Sequence, residues 1–188
     1  TQQIITNSAL GASDVFAIDL DGDGDADVIS ASKDDNKIAW YENLGGGSFG
    51  VQQIIATNAV GARNVYAADL NGDGKPDIIS ASMDDDKLAW YENIGNGVFS
   101  SENIIDIIPY LENFALSDVD VDGDMDVISD RLEWYENSGV GGFSSGNLIY
   151  FSGGISSLCA SDLDGDGDDE IISGGTKVIN INKNHFNH

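Results

Sequence analysis

The chain has 188 residues and carries 33 acidic side chains against 8 basic ones, for a formal net charge of −25 at pH 7. Phosphates of nucleic acid and anionic membrane surfaces would repel such a chain, so we expect neither as a partner. Hydrophobic residues make up 41% of the chain, which suits a globular protein. No apolar run approaches the roughly 20 residues of a membrane span, so no membrane insertion is expected.

Four short strands are predicted in the first repeat, at residues 15–20, 28–32, 37–43 and 51–55. β-branched and aromatic residues are concentrated in these runs, and Gly, Asn and Asp separate them, as is typical of strands and turns. No stretch of the chain has a sustained helical period. The chain begins with a further predicted strand at residues 2–6, which repeats the pattern of the fourth strand.

An acidic nine-residue loop follows the first strand and occurs four times, starting at residues 19, 69, 118 and 162. Oxygen-bearing side chains recur at its positions 1, 3, 5 and 9, and Gly stands at position 6. Ca²⁺ takes about 6–8 oxygen ligands, and a chain must turn sharply to bring alternate side chains onto one ion. We therefore expect about four Ca²⁺ ions, one in each loop. The candidate ligands are Asp19, Asp21, Asp23, Asp27, Asp69, Asn71, Asp73, Asp77, Asp118, Asp120, Asp122, Asp126, Asp162, Asp164, Asp166 and Glu170.

These loops begin like an EF-hand but do not continue like one. An EF-hand needs a bidentate Glu at position 12 and a helix on each side. Position 12 is a serine in all four loops, and the flanking segments alternate like strands. We therefore expect a short loop that joins two adjacent strands and is closed by its position 9 carboxylate.

The loop starts are spaced by 50, 49 and 44 residues, which indicates a repeat architecture. Four-stranded units at this period favour a β-propeller. We predict an all-β fold, a single propeller domain over residues 1–188, with repeats at approximately 1–50, 51–100, 101–144 and 145–188. The strand at residues 2–6 is expected to close the last blade beside a strand at residues 178–182, removing open sheet edges.

Three repeats also share the motif W-Y-E-N, at residues 40–43, 90–93 and 134–137, followed by a Gly-rich segment with Phe-Gly or Phe-Ser. Together with the acidic loop, this pattern resembles the FG-GAP/VCBS repeats over essentially the whole chain. Those repeats build the integrin α-subunit propeller, some fungal lectins and many secreted bacterial surface proteins. The resemblance implies that each ion is also bound by the backbone carbonyl at position 7, which belongs to Asp25, Lys75, Asp124 or Asp168.

The sequence departs from the family pattern in three respects. The commonest ring in the family has seven blades, whereas four repeats are present here. Val121 stands where position 4 is Gly in the other loops, and Glu170 replaces Asp at position 9. Both substitutions are expected to loosen coordination of the ion.

Recurring aromatic and acidic residues outside the loops have two interpretations each. Trp40, Trp90 and Trp134 either pack between blades, which is the favoured interpretation, or stack on a sugar. Tyr41, Tyr91 and Tyr135 alternate to the opposite strand face and have the same alternatives. The acids at 34–35 and 84–86 are explained by turn chemistry, with a further ion site as the alternative.

Few residues suggest catalysis. The histidines lie only at positions 185 and 188, and no Ser-His-Asp or Cys-His arrangement can be assembled from them. Cys159 is the one cysteine, and we expect a small buried hydrophobic side chain there because no basic residue lies near it. The chain begins with Thr and shows no signal peptide, so we expect a processed or excised piece.

The predicted function is that of a calcium-stabilised recognition module, secreted or on the cell surface, which binds a protein or a glycan. The alternative is a catalytic propeller, such as a polysaccharide lyase or dehydratase that uses a bound cation; a purely structural spacer is a third possibility. Two chains are also able to form one eight-bladed ring by exchanging their N-terminal strands, so a homodimer is a possible assembly.

Overall fold

A computed structural model describes residues 3–149, 155–175 and 179–182 of the chain. This part of the chain is all-β. Its strands are β1 (Ala12–Ile18), β2 (Asp27–Ser32), β3 (Lys37–Tyr41), β4 (Gln53–Ala56), β5 (Ala62–Ala68), β6 (Asp77–Ser82), β7 (Lys87–Tyr91), β8 (Asn93–Gly95), β9 (Val98–Phe99), β10 (Asn103–Ile107), β11 (Phe114–Ser117), β12 (Asp126–Ser129), β13 (Glu133–Tyr135), β14 (Asn147–Leu148), β15 (Ile155–Ser161), β16 (Glu170–Gly175) and β17 (Ile179–Asn182).

Each repeat folds into its own antiparallel meander. The sheet orders are β1-β2-β3-β4, β5-β6-β7-β10, β11-β12-β13-β14 and β15-β16-β17, and a short hairpin, β8–β9, leaves the second sheet. The second strand of each sheet is the most buried, and all six residues of β6 are buried. Both faces of these central strands are covered, and their buried residues include serines, such as Ser30 and Ser32 of β2, beside apolar side chains.

The predicted strands of the first repeat are confirmed, with shifted ends. β1 begins three residues earlier than predicted, because Ala12 already pairs with Ser32 of β2. β4 begins two residues later than predicted, because its pairing with β3 starts at Gln53. The predicted segment 178–182 is observed as β17 from Ile179, and residue 178 lies outside the described residues. Strand ends are where sequence patterns are least informative.

The predicted N-terminal strand is not observed. Residues 3–6 form no strand, and residue 2 lies outside the described part of the chain. Gln3 instead donates its side-chain amide to the carbonyl of Gly47, so this segment rests on the Gly-rich turn of its own repeat. Closure of the last blade by this segment therefore stays a prediction.

Cys159 is exposed, contrary to the expectation of a buried side chain. It lies on the strand position that Tyr66 occupies in the second repeat, and Tyr66 is also exposed. The apolar neighbours Leu158 and Ala160 suggested burial, but strand side chains alternate between faces, and only Leu158 is buried.

The chain divides into two compact units. One comprises Thr1–Asp69 and Asp73–Glu112, and the other comprises Leu70–Gly72 and Asn113–His188. In the first unit, Ile29, Ile38 and Trp40 of the first repeat pack with Ala62 and Val65 of the second. Alanine at such positions allows the two sheets to approach closely, which accords with a propeller-like fold.

The second unit has the same kind of core. Ile128, Leu132 and Trp134 of the third repeat pack with Leu158 and Ile171 of the fourth. The Ser117 hydroxyl donates to Asp169 across the same pair of repeats at 2.7 Å. Each unit is therefore a pair of repeats that share one hydrophobic core.

None of the described residues belongs to a helix that is long and apolar enough to cross a membrane.

Candidate functional site

The four acidic loops occupy equivalent places in their sheets. Each loop leaves the end of a first strand and stops where the second strand begins, at Asp27, Asp77, Asp126 and Glu170. The position 9 carboxylate is therefore the first residue of a buried central strand. This placement holds the last predicted ligand on a rigid element, while most of the other loop residues are partly or fully exposed.

The first aspartate of each loop sets the turn. In the first loop, Asp19 Oδ1 accepts the amide of Gly22 at 2.8 Å, and its Oδ2 accepts the amide of Gly24 at 2.9 Å. In the third loop, Asp118 Oδ2 accepts the amide of Gly123 at 3.0 Å. The residue at position 6 has a positive φ, +95° at Gly24 and +99° at Gly123, which glycine adopts without steric cost.

Three loops bring carboxylates together as the spacing predicts. The ligand atoms in each group lie within 4.8 Å of one another, and the groups are Asp19, Asp21 and Asp27; Asp118, Asp120 and Asp122; Asp162, Asp164 and Glu170; and Asp166, Asp168 and Glu170. Positions 1 and 3 belong to a group in each of these loops. Position 9 joins them in the first and fourth loops, whereas Asp126 and Asp23 belong to no such group among the described residues.

The position 9 carboxylate also has a structural role that the sequence did not reveal. Asp27 Oδ2 accepts the amide of Leu20 at 2.9 Å, and its Oδ1 accepts the amide of Asn43 at 2.8 Å. Asp126 is bonded in the same way to Val119 and Asn137. Both aspartates are fully buried, so each ties the start of its loop to the end of W-Y-E-N.

Burial and crowding make these carboxylates reluctant to ionise. Desolvation raises the pKa of Asp126 to about 6, although the amides of Asn137 and Val119 favour the charged form. Desolvation likewise raises the pKa of Asp27, and the nearby charges of Asp21 and Asp23 add to this increase. A cation placed among such groups would favour their ionised forms.

The third loop contains a polar atom that lacks a partner. Asp120 Oδ1 is buried and has no hydrogen-bond partner among the described residues. Desolvation, followed by the charge of Asp122, raises the pKa of this aspartate. An acceptor oxygen left in this state is costly, and a bound cation would satisfy it.

Val121 is the third loop's departure from Gly at position 4. Its φ is +62°, in the region where Gly22, Gly72 and Gly165 lie in the other loops. A β-branched residue is strained in this conformation. The loop therefore keeps the family's backbone path with an unfavourable side chain.

The asparagine of W-Y-E-N connects neighbouring repeats, which the sequence analysis missed. Asn93 Nδ2 donates to the carbonyl of Leu20 in the preceding repeat's loop at 2.8 Å and to that of Pro76 in its own loop at 3.0 Å. Asn137 donates in the same way to Leu70 and Met125. The recurrence of Asn after W-Y-E in three repeats was the only signal in the sequence.

The recurring aromatic residues are buried, and Trp40 and Trp134 belong to the cores that their repeats share with the next ones. Trp40, Trp90 and Trp134 are at most 8% exposed, which confirms the interpretation of them as packing residues. The tyrosines of the same motif are fully buried, and the Tyr41 hydroxyl accepts a hydrogen bond from the Gln52 amide at 2.8 Å.

One edge of Trp40 lines a surface groove, which consists of two adjoining cavities. The first has a volume of about 340 Å³ and is lined by Asp21, Gly22, Asp23, Trp40, Glu42, Gln53 and Asn96. The second, of about 390 Å³, is lined by Trp40, Gln53, Ile54, Ile55, Gly97, Val98 and Phe99. Trp40 and Gln53 belong to both, so we call the two together the Trp40 groove. Its walls are the first acidic loop, the strand pair β3–β4 and the hairpin β8–β9.

Acidic residues outside the loops act as turn residues. Asp35 Oδ1 accepts the Ser32 hydroxyl at 2.6 Å, and its Oδ2 pairs with the Lys37 ammonium at 2.9 Å. Asp85 forms the equivalent contacts with Ser82 and Lys87. Each acid thus holds the tight turn between the second and third strands, as predicted from turn chemistry.

Comparison with solved structures supports the propeller-like fold. A lectin from Agrocybe aegerita, described as specifically recognising non-reducing terminal N-acetylglucosamine, superposes with a TM-score of 0.71 at 20% identity. The match covers 94% of this chain and 50% of the lectin. BBS1N, solved in complex with ARL6DN, superposes with a TM-score of 0.61 at 13% identity, over 93% of this chain and 51% of that chain. The chain thus spans about half the length of these structures.

No curated protein matches the chain in sequence. The FG-GAP-like repeat family matches three overlapping segments, at residues 19–80, 69–129 and 118–173. Each segment begins with one acidic loop, includes the following acidic loop, and ends in the strand that follows that second loop. These segments include all four acidic loops and all three W-Y-E-N motifs. The chain therefore belongs to the FG-GAP-like repeat family.

Proposed function

We propose that the chain is a calcium-stabilised recognition module that binds a glycan in the Trp40 groove. The observation that carries this proposal is that the groove shares a wall with the first acidic loop. Asp21, Gly22 and Asp23 line the cavity, while Asp21 also belongs to the carboxylate group of Asp19 and Asp27. A cation in that group would order the loop and, with it, the groove.

The donor set fits calcium better than a transition metal. The grouped ligands are carboxylate oxygens only, and hard cations such as Ca²⁺ prefer oxygen to nitrogen or sulfur ligands. In the first loop, Asp19, Asp21 and Asp27 would hold the ion, with Asp23 and the Asp25 carbonyl as the further ligands that the family pattern implies. The ion would supply positive charge that offsets the repulsion among the acids.

The groove has the composition of a sugar site. Gln53, Asn96 and Glu42 offer amide and carboxylate groups to hydroxyls, and the edge of Trp40 offers an apolar surface. Its further end is apolar, with Ile55, Val98 and Phe99, and each cavity has the volume range of small-ligand sites. The similarity in fold to a lectin that recognises N-acetylglucosamine supports the choice of a glycan as ligand.

A location outside the cell accords with the calcium requirement. Extracellular calcium modules have Kd values of about 10⁻⁴–10⁻³ M, which match calcium levels outside cells and not those of the cytosol. We therefore propose that the protein works in a secreted or cell-surface setting, with a protein ligand as the alternative to a glycan.

Glycan arrays and calorimetry test this function. We expect binding of glycans with terminal N-acetylglucosamine, and Gln53→Ala should weaken it about tenfold because a polar partner of the sugar is lost. Asn103→Ala is the matched control. Asn103 faces Trp90 in the second repeat as Gln53 faces Trp40, and its amide is bonded to Ser100 and Ser101.

Equal losses in the two variants, or no glycan binding at all in calcium, would contradict the assignment of the groove. Release of product from a polysaccharide would instead favour the catalytic alternative.

A further inference from the structure

The second acidic loop differs from the other three in its carboxylates. Among the described residues, groups of three carboxylates occur in the first, third and fourth loops, and none occurs in the loop at 69–77. Position 3 of this loop is Asn71, and position 7 is Lys75, where the other loops have Asp25, Asp124 and Asp168. The carboxylate group of the other loops is therefore replaced here by a loop with an amide at position 3 and an ammonium at position 7.

The Lys75 ammonium pairs with Asp73, the position 5 candidate ligand of this loop. Its ammonium contacts Asp73 Oδ2 at 2.5 Å, and its backbone amide donates to Asp73 Oδ1 at 3.0 Å. Both oxygens of the position 5 carboxylate are therefore engaged by one residue.

The loop keeps its family conformation despite this change. Asp69 Oδ2 accepts the amide of Gly74 at 2.8 Å, and Asp69 Oδ1 accepts the amide of Asp73 at 3.1 Å. In the first and third loops, the position 6 amide donates to the position 1 carboxylate in the same way, at 2.9 and 3.0 Å. The side-chain stem of Lys75 runs beside Gly95, since a Cβ on that glycine would lie 3.6 Å from Lys75 Cε.

We infer that the Lys75 ammonium is the built-in cation of the second loop, which therefore folds without calcium. The protein then binds three ions, in the first, third and fourth loops, and the second loop stays ordered when calcium is removed. This inference rests on the proposed calcium binding of the other loops.

Two substitutions at position 7 provide a matched test. Lys75→Asp removes the ammonium and restores the acid of the other loops, so the variant should bind one ion more than the wild type. Asp25→Lys places an ammonium two residues from Asp23, as Lys75 lies two residues from Asp73, and should bind one ion fewer. Equilibrium dialysis at saturating calcium counts the ions in each protein.

Hydrogen exchange locates the effect. In the wild type, chelation should speed exchange at the amides of Gly24 and Gly123 and leave that of Gly74 unchanged. In Lys75→Asp, the Gly74 amide should become sensitive to chelation as well.

Four ions in the wild type, or an unchanged count in Lys75→Asp, would overturn the inference while leaving calcium binding intact. No bound ions in the wild type would overturn the proposed calcium function and this inference together. Faster exchange of the Gly74 amide after chelation of the wild type would also overturn the inference about Lys75.

Discussion

Individual residues within the acidic loops perform two tasks at once. The position 1 aspartate accepts backbone amides that shape the turn and also directs a carboxylate toward its neighbours, as Asp19 does. The position 9 aspartate accepts two amides while it is fully buried, as Asp27 does. Loss of either residue would therefore disturb the fold as well as ion binding, so such variants are poor probes of the ion alone.

Val121 allows a test of backbone strain in an acidic loop without loss of a candidate ligand. A β-branched residue at positive φ costs about 1–3 kcal/mol, whereas the added chain entropy of glycine costs about 0.5–1 kcal/mol. We expect Val121→Gly to raise the free energy of unfolding by about 1 kcal/mol, measured by urea denaturation in calcium. Val140→Gly is the control: Val140 is an exposed residue of the same unit whose φ is not positive, so glycine there should destabilise slightly. A destabilised Val121→Gly variant would contradict the assignment of strain.

The raised pKa of Asp126 predicts an unusual pH dependence for the chelated protein. Its pKa is about 6 in the folded state against an ordinary aspartate value of 3.8, so the folded state binds this proton more tightly than the unfolded state. Protonation of Asp126 therefore favours folding, and this contribution grows as pH falls from about 6 to about 4.

Bound calcium should reverse this pH dependence of stability, because a cation favours the ionised carboxylate. We expect NMR titration of the Asp126 carboxyl in EDTA to give a midpoint well above the ordinary value. A midpoint at or below that of a free aspartate would contradict this account.

At the scale of strands and loops, buried asparagine amides join consecutive repeats. Asn93 donates to a carbonyl of the first loop and to one of the second, so the two loops share one side chain. Displacement of either loop would strain that pair of bonds. The arrangement makes each loop part of its neighbour's support.

Removal of the Asn93 link should lower the free energy of unfolding more than removal of Asn43, its counterpart in the first repeat. Asn93→Ala leaves one buried and one partly buried carbonyl without their donor, and loss of a buried hydrogen bond costs about 1–3 kcal/mol. The Asn43 amide donates to Ala26 in its own loop, and this bond is exposed, so Asn43→Ala is the matched control with an expected loss below about 1 kcal/mol. Denaturation in calcium measures both variants. Equal losses would indicate that the contact between repeats contributes little.

The strands and loops were predictable because their signals are local. β-branched runs between Gly and Asp clusters placed the strands of the first repeat, and the spacing of Asp19, Asp21 and Asp27 predicted that their carboxylates meet. The Asn93 link was not predictable, since its partner Leu20 lies 73 residues away. The contact of the Lys75 ammonium with Asp73 was not predictable either, because it depends on the path of the side chain. Cys159 was misjudged because apolar sequence neighbours do not reveal which face of a strand is covered.

The whole molecule is a series of related sheets grouped into two compact units, each with a core shared by two repeats. In such repeat proteins, stability depends on each repeat and on its interface with the next. Ions that order the loops would therefore stabilise the pair of repeats in each unit. Closure of a four-bladed ring, and a homodimer formed by strand exchange, stay predictions.

The dependence of thermal stability on calcium tests the central claim most directly. At about 1 mM calcium and Kd values of about 10⁻⁴–10⁻³ M, each occupied site contributes about 0.4–1.4 kcal/mol. Three such sites are a substantial share of the roughly 5–15 kcal/mol by which domains are stable. We expect the Tm to fall by several degrees when EDTA replaces calcium and to recover when calcium is restored in excess. Superimposable melting curves in calcium and in EDTA would contradict the account.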